Sequence, residues 1–273
     1  MKRLALLGSQ LFLLFFVAAF YLLPCRLQAQ TLSNPPTANP SETSSLAGVL
    51  VALQGAAPPA SDVTLEGTVD YIAGSTHESG EIVLKAKAGG HTSVSLSLQS
   101  EKRTELRTRA SSGPFLGSFS DRAGTHAISP QNLMVEPYWF EPELLLSAFN
   151  KDSSWRLQTV ASGSSKATPQ ATITMTRQLP GAGPAITLQS ATQIVLDPQT
   201  LLPIGLTFHE FAGSGRVSPA SVHIAYSDYQ TVEGHQIPFH IQRFVNGTLN
   251  LNINIEKVHI NAGLHASDFQ LNN

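Results

Sequence analysis

The sequence predicts a mainly β protein of the α+β class, built on antiparallel strands with a helix at the start and a helical insert near the middle. Three observations carry this. From about residue 62 onward, apolar and polar residues alternate with period 2, most clearly in Leu249-Asn250-Leu251-Asn252-Ile253-Asn254-Ile255. Strict alternation buries one face of a strand and leaves the other to water, as antiparallel sheets do. Turn signals recur between the runs, at Gly89-Gly90, Asp197-Pro198, Gly213 to Gly215 and Asn246-Gly247, at a spacing that suits a meander rather than βαβ units. Helical spacing is confined to two places, one before the first strand and one between two blocks of strands.

The N-terminus has the layout of a secretory signal peptide over residues 1–29. Lys2 and Arg3 are its positive region, Leu11 to Leu23 an unbroken apolar run, and Leu27-Gln28-Ala29 offers a small residue before a cut at Gln30. An uncleaved membrane anchor is the rival reading, because counting from Leu4 gives roughly 20 residues, about enough to span a bilayer. Cys25 is the single cysteine, and Pro24 before it fits a lipidation motif poorly. After cleavage the mature chain has no thiol, so its core alone must hold it. The expected location is therefore the periplasm, with membrane anchoring as the alternative.

Residues 30–40 are rich in Asn, Pro, Ser and Thr and read as a flexible leader. One domain is expected over 41–273. Ser41 or Thr43 caps a short helix with Leu46, Val49, Leu50 and Leu53 on one face, ended by Gly55 and Pro58-Pro59. Strands are expected near 63–72, 80–88, 92–99, 102–109, 115–119, 154–161, 171–178, 190–196, 203–211, 217–228, 237–245 and 248–258. Between Ser129 and Asn150, Pro130 and Pro142 suit first helical turns, with Ser129 and Glu141 just before them. This segment reads as two short helices joined by an aromatic elbow, Tyr138-Trp139-Phe140, and is the most apolar stretch of the mature chain.

The last hairpin admits a finer reading. A two-residue Asn246-Gly247 turn puts Ile241 opposite Asn252, which mixes apolar and polar residues on each face. A three-residue loop of Val245, Asn246 and left-handed Gly247 instead sets Ile241 opposite Leu251, Phe239 opposite Ile253 and Ile237 opposite Ile255. A slip of one residue turns over a strand's whole apolar set, so the three-residue loop is expected.

Composition and motifs exclude several function classes. The net charge is −2, from 17 basic and 19 acidic residues, which is no footprint for nucleic acid. The local basic cluster, Arg103, Arg107 and Arg109, reads as a solvated strand face. Nine histidines include no HExxH and no short-spaced ligand set, so each reads as a surface histidine rather than a zinc ligand. No GxSxG elbow and no Ser-x-x-Lys is present; Gly181-Ala182-Gly183 and Gly213-Ser214-Gly215 lie between strands and open no phosphate-binding helix. Glu136, Glu141 and Glu143 flank the aromatic elbow and read as helix-start charges. No cofactor, metal or catalytic set is expected.

The C-terminal third carries more. Leu196-Asp197-Pro198-Gln199-Thr200-Leu201-Leu202-Pro203 is followed by Tyr226-Ser227-Asp228-Tyr229 and by Val232-Glu233-Gly234-His235-Gln236-Ile237-Pro238-Phe239, and the chain closes on Ile260-Asn261-Ala262-Gly263-Leu264 and Asp268-Phe269. This succession resembles the outer-membrane lipoprotein-sorting, LolA-like superfamily. The resemblance implies a strongly curved, incomplete antiparallel barrel with helices laid over its concave apolar face, and a cavity that receives lipid chains. It implies a non-enzymatic periplasmic binder or carrier of a lipid, a lipoprotein acyl chain or another apolar envelope component, with peripheral membrane contact. On that reading Trp139, Phe140, Leu144, Leu145 and Phe149 are the candidate lid and cavity residues. The alternative is a structural or interaction module for an envelope protein partner, its interior filled by those same side chains.

Overall fold

The computed structural model describes residues 40–109, 115–133, 137–161, 171–177, 190–211 and 219–270. The expected signal peptide and nearly all of the leader lie outside these, as do Glu136 and the two glycine-rich loops. A first helix, α1 (Pro40–Gln54), precedes six strands: β1 (Asp62–Ala73), β2 (Thr76–Lys87), β3 (His91–Leu98), β4 (Lys102–Arg109), β5 (Phe115–Asp121) and β6 (Gly124–Ala127). Helices α2 (Pro130–Leu133) and α3 (Pro142–Lys151) follow. Seven more strands come next: β7 (Trp155–Ala161), β8 (Ala171–Arg177), β9 (Thr192–Leu196), β10 (Pro203–Glu210), β11 (Ala220–Val232), β12 (His235–Val245) and β13 (Thr248–Ile260). A 3-10 turn, Ala266–Phe269, closes the described chain.

All thirteen strands form one antiparallel sheet in the order β6-β5-β4-β3-β2-β1-β13-β12-β11-β10-β9-β8-β7. Every neighbour is a chain neighbour except at the β1–β13 junction. The two free margins, β6 and β7, are the strands that flank the helical insert in sequence. The sheet is thus a curved, unclosed barrel, and α2, the elbow and α3 are the connection across its opening.

Alternation sets which face is inside. Val63, Leu65 and Val69 of β1, Ile82 and Leu84 of β2, Val94 and Leu96 of β3, Ile224 of β11, and Leu251 and Ile253 of β13 are buried in one core. Leu46, Val49 and Leu53 of α1 join it. Helix α3 is buried along most of its length, with Asn150 and Lys151 at its exposed end. Leu144, Leu145, Leu146 and Phe149 are all buried.

Three details depart from the expectations. Strand β6 was not foreseen, because Gly124-Thr125-His126-Ala127 is exposed throughout and carries no alternation. Helix α1 begins at Pro40, one residue inside the expected leader. The last hairpin turns on two residues, with Val245 opposite Thr248 and both Asn246 and Gly247 at positive φ. A β-bulge then seats Phe244 opposite Leu249 and Arg243 opposite Leu251, leaving Asn250 as the extra residue. Ile241 therefore faces Ile253, rather than Leu251 or Asn252. The apolar parity is as expected, but a tight Asn-Gly turn with a bulge produces it, and a three-residue loop does not.

Candidate functional site

The insert carries two of the fold's buried carboxyl groups, Glu141 and Glu143. Glu141 caps α3, accepting the Leu144 N–H through Oε2, with Pro142 in the first turn. Glu143 is buried: Oε1 accepts the Ala60 N–H at 2.8 Å, and Oε2 lies 2.6 Å from Nδ1 of His235. These contacts join α3, the segment after α1 and the start of β12. The latter two meet closely, since a Cβ on Gly55 would lie 2.9 Å from the Gly234 carbonyl oxygen. His235 is only 2% exposed, which corrects the reading of every histidine as a surface residue. Glu141 and Glu143 do stand at the start of α3, as expected, and each is only 1% exposed. A carboxylate so enclosed persists only with partners to replace water.

Burial, joined by the neighbouring Glu143 carboxylate, pushes the Glu141 carboxyl up to about 8. The Leu144 N–H and the helix start favour its charged form but do not outweigh this. Its Oε1 is buried with no hydrogen-bond partner among the described residues. Burial also raises the Tyr229 hydroxyl well above its ordinary value, with Glu141 adding to the effect; that hydroxyl donates to the Pro203 carbonyl at 2.7 Å.

The elbow is fastened on both sides. Tyr138 donates to the Lys87 carbonyl at 2.7 Å and accepts from the Gly90 N–H, holding it to the β2–β3 turn. Tyr226 of β11 donates to the Trp139 carbonyl at 2.5 Å. Helix α2 is tied in the same manner. Asn132 exchanges two hydrogen bonds with the Phe211 backbone, and its carbonyl accepts from Arg107 at 2.7 Å.

The five residues expected to form a lid or cavity lie together. Trp139 packs edge-on against Phe140 at 5.4 Å between ring centroids, and Phe149 against Trp155 at 4.5 Å. Trp139, Phe140, Leu144, Leu145 and Phe149 are between 0 and 6% exposed, within the main core. They fill the concave face as packed side chains.

Open space remains beside them. One cleft of about 400 Å3 runs between α3 and residues of β4, β5, β7 and β8, bounded by Tyr138, Leu144, Phe149, Phe115, Trp155 and Arg177 among others. A second, about 220 Å3, meets Trp139 and is bordered by Tyr71, Arg103, Glu210 and Arg243. A third, about 480 Å3, is lined by Ser93, Ser95, Ser97 and Thr104, whose alternation places them on the opposite face.

Of the three arginines of β4, Arg109 is exposed as expected, but Arg107 is buried and Arg103 is only partly open to solvent. Arg103 and Arg107 pair across β3 with Leu96 and Thr92, so they share the concave side with the core. Arg107 is 5% exposed and bonded to Glu105 at 2.8 Å; Arg103 is held by Glu101 at 2.6 Å and by Tyr71 at 2.7 Å. Strand parity turned them inward, and carboxylates and a tyrosine offset the desolvation. Among the described residues no cluster of three His, Cys, Asp or Glu is placed to hold a metal, and no helix is long and apolar enough to cross a membrane.

No family model matches the sequence, and no curated protein matches it. Solved structures do share its fold. A DUF1329 family protein from Desulfovibrio piger superposes with a TM-score of 0.51 at 10% identity, over 84% of this chain and 97% of that one. A LolA superfamily protein from Nitrosomonas europaea gives 0.49 at 10% identity, over 84% and 97%. An outer membrane lipoprotein-sorting protein domain from Vibrio parahaemolyticus gives 0.48 at 11% identity, over 76% and 88%. The likeness to the DUF1329 family protein is one of fold, held at low identity.

Proposed function

We propose that the protein is an exported, non-enzymatic binder or carrier of an apolar envelope component, a lipid or a lipoprotein acyl chain, acting in the periplasm. The observation that carries this reading is the cleft of about 400 Å3 beside α3, at the opening of the barrel. It falls in the size range of small-molecule sites and has Leu144, Phe149 and Trp155 along its walls. An acyl chain of roughly 16 carbons, at about 0.8 kcal/mol per methylene, gains on the order of 12 kcal/mol on burial before ordering costs are subtracted. No charged motif is required for such binding.

Native mass spectrometry of the mature chain, purified from a periplasmic preparation with lipid extraction alongside, tests the proposal. A defined co-purifying lipid mass that disappears in Ala148→Trp, which fills the cleft, supports it. A bare protein that also takes up no fluorescent fatty acid refutes it.

A second reading has its own observation. Trp139, Phe140, Leu144, Leu145 and Phe149 already fill the concave face, as an interaction module for an envelope protein partner would have it. Failure of every lipid assay, with a partner recovered by crosslinking in intact cells, would favour that module.

A further inference from the structure

The cleft beside α3 is not uniformly apolar. Its lining includes Arg109, Arg177 and Lys151 but a single carboxylate, Asp152. The two guanidinium groups come from opposite ends of the sheet order, Arg109 from β4 and Arg177 from β8. Each sits over an aromatic ring on its paired strand. Arg109 lies 4.8 Å from the ring centre of Phe115, directly across β4–β5, and Arg177 lies 4.7 Å from that of Trp155, directly across β7–β8. Arg177 is also 5.8 Å from Phe115, a contact that spans the opening from β8 to β5.

Arg177 is incompletely satisfied. Its side chain is 13% exposed, and its nearest carboxylate oxygen, on Asp152, is 3.8 Å away, beyond a good charge-assisted hydrogen bond. Its Nε is buried and has no hydrogen-bond partner among the described residues. Burial raises the Asp152 carboxyl, but hydrogen bonds from Ser154 and the charges of Arg177 and Arg109 more than reverse this and hold it below its ordinary value. Asp152 is thus ionised, and it stands 3.8 Å from Arg177 without closing a short hydrogen bond to it.

The smaller cleft provides the contrast. It also contains two arginines, yet Arg103 meets Glu101 at 2.6 Å and Arg243 meets Glu210 at 2.7 Å. Those guanidinium groups are paired in the structure, and that of Arg177 is held on a tryptophan face with donors to spare. A planar guanidinium, oriented by stacking, is suited to take a carboxylate or phosphate through two parallel N–H donors.

We propose that the cleft beside α3 seats the anionic head group, a carboxylate or phosphate, of an amphiphile, with Arg177 as its principal contact and the apolar portion along Leu144, Phe149 and Trp155. This rests on the apolar-ligand reading above and names the class of ligand that the cleft selects.

The test displaces a fluorescent fatty acid from the mature full-length chain with three competitors: dodecanoate, dodecanol and inorganic phosphate. Dodecanoate is expected to compete at least about tenfold more tightly than dodecanol, as one added charge-assisted hydrogen bond provides. That preference should vanish in Arg177→Gln and persist in Arg243→Gln, with thermal melts confirming that both variants fold. Phosphate alone should compete only at millimolar concentrations. Equal competition by dodecanoate and dodecanol on the unaltered protein would overturn the head-group assignment while leaving apolar binding in place. Phosphate competing as well as dodecanoate would overturn the amphiphile and leave a plain anion site. If the probe itself does not bind, the apolar-ligand reading fails, and the head group with it.

Discussion

Replacing Glu141 with glutamine should abolish a pH dependence of stability that the native chain carries. The carboxyl is 1% exposed and pushed up to about 8 from an ordinary value of 4.5, by burial first and by the Glu143 carboxylate second. The folded state therefore keeps a proton that the unfolded chain releases. Stability from this group is complete below pH 4.5, declines as the pH rises, and is gone above about 8. Each pH unit inside that window is worth about 1.4 kcal/mol, so the step from pH 5.5 to pH 7.5 costs about 3 kcal/mol. For a chain of this length that is a fall of roughly 5–10 °C in Tm. His91 and His223 act in the opposite direction over part of the window. Burial holds both below the ordinary imidazole value, with Lys87 contributing at His91, and their stability is lost as the pH falls. The quantity to measure is therefore a difference. Urea unfolding followed by tryptophan fluorescence at the two pH values should show the native chain losing about 3 kcal/mol more than Glu141→Gln. Equal losses in the two proteins would refute the protonated, buried Glu141.

Three further outcomes are expected from the same unfolding assay. Tyr138→Phe removes the hydroxyl that joins Lys87 and Gly90 to the elbow and should cost about 1–3 kcal/mol, with Gly90 left unpaired. Gly67→Ala should cost about 1–3 kcal/mol or more, because its Cβ would lie 2.0 Å from the Asn254 carbonyl oxygen at the β1–β13 bulge. His235→Leu should cost about 3–5 kcal/mol by stranding the Glu143 carboxylate, and Glu143→Met in the same chain should restore much of it.

Much of the sheet was legible because alternation is local. The run from Leu249 to Ile255 fixed which residues face the core, but parity cannot distinguish a longer loop from a tight turn with a bulge. Either device shifts the pairing by one, and nothing in Asn250 marks it as the extra residue. Strand β6 was illegible for the reverse reason. It buries nothing, so it leaves no pattern. Glu143 and His235 stand 92 residues apart, and no local spacing joins them. A signal was nonetheless present: Glu143 leads directly into Leu144-Leu145-Leu146, and a charge drawn into the core with such a run requires a buried partner. Arg103 and Arg107 of β4 were readable too. The short turn between Leu98 and Lys102 sets them across from Leu96 and Thr92, and so turns them inward.

The insert bears on where a ligand would enter. Trp139, Phe140, Leu144, Leu145 and Phe149 cover the concave face, and an acyl chain that displaced them would exchange one apolar contact for another of similar area. Such an exchange gains little, since burial contributes about 25 cal/mol per Å2 on either side of it. The polar fastenings would have no such compensation. Displacement would break the Glu143–His235 pair, the Tyr138 and Tyr226 bonds to the elbow, and the contacts of Asn132 with Phe211 and Arg107. Leaving one member of the Glu143–His235 pair buried and unmatched would alone cost several kcal/mol. The cleft beside α3 demands none of this. On the carrier reading, a ligand then binds beside the insert rather than beneath it. The insert serves as a fixed wall, and the position of α3, set by Glu143 against β12, determines the width of the site.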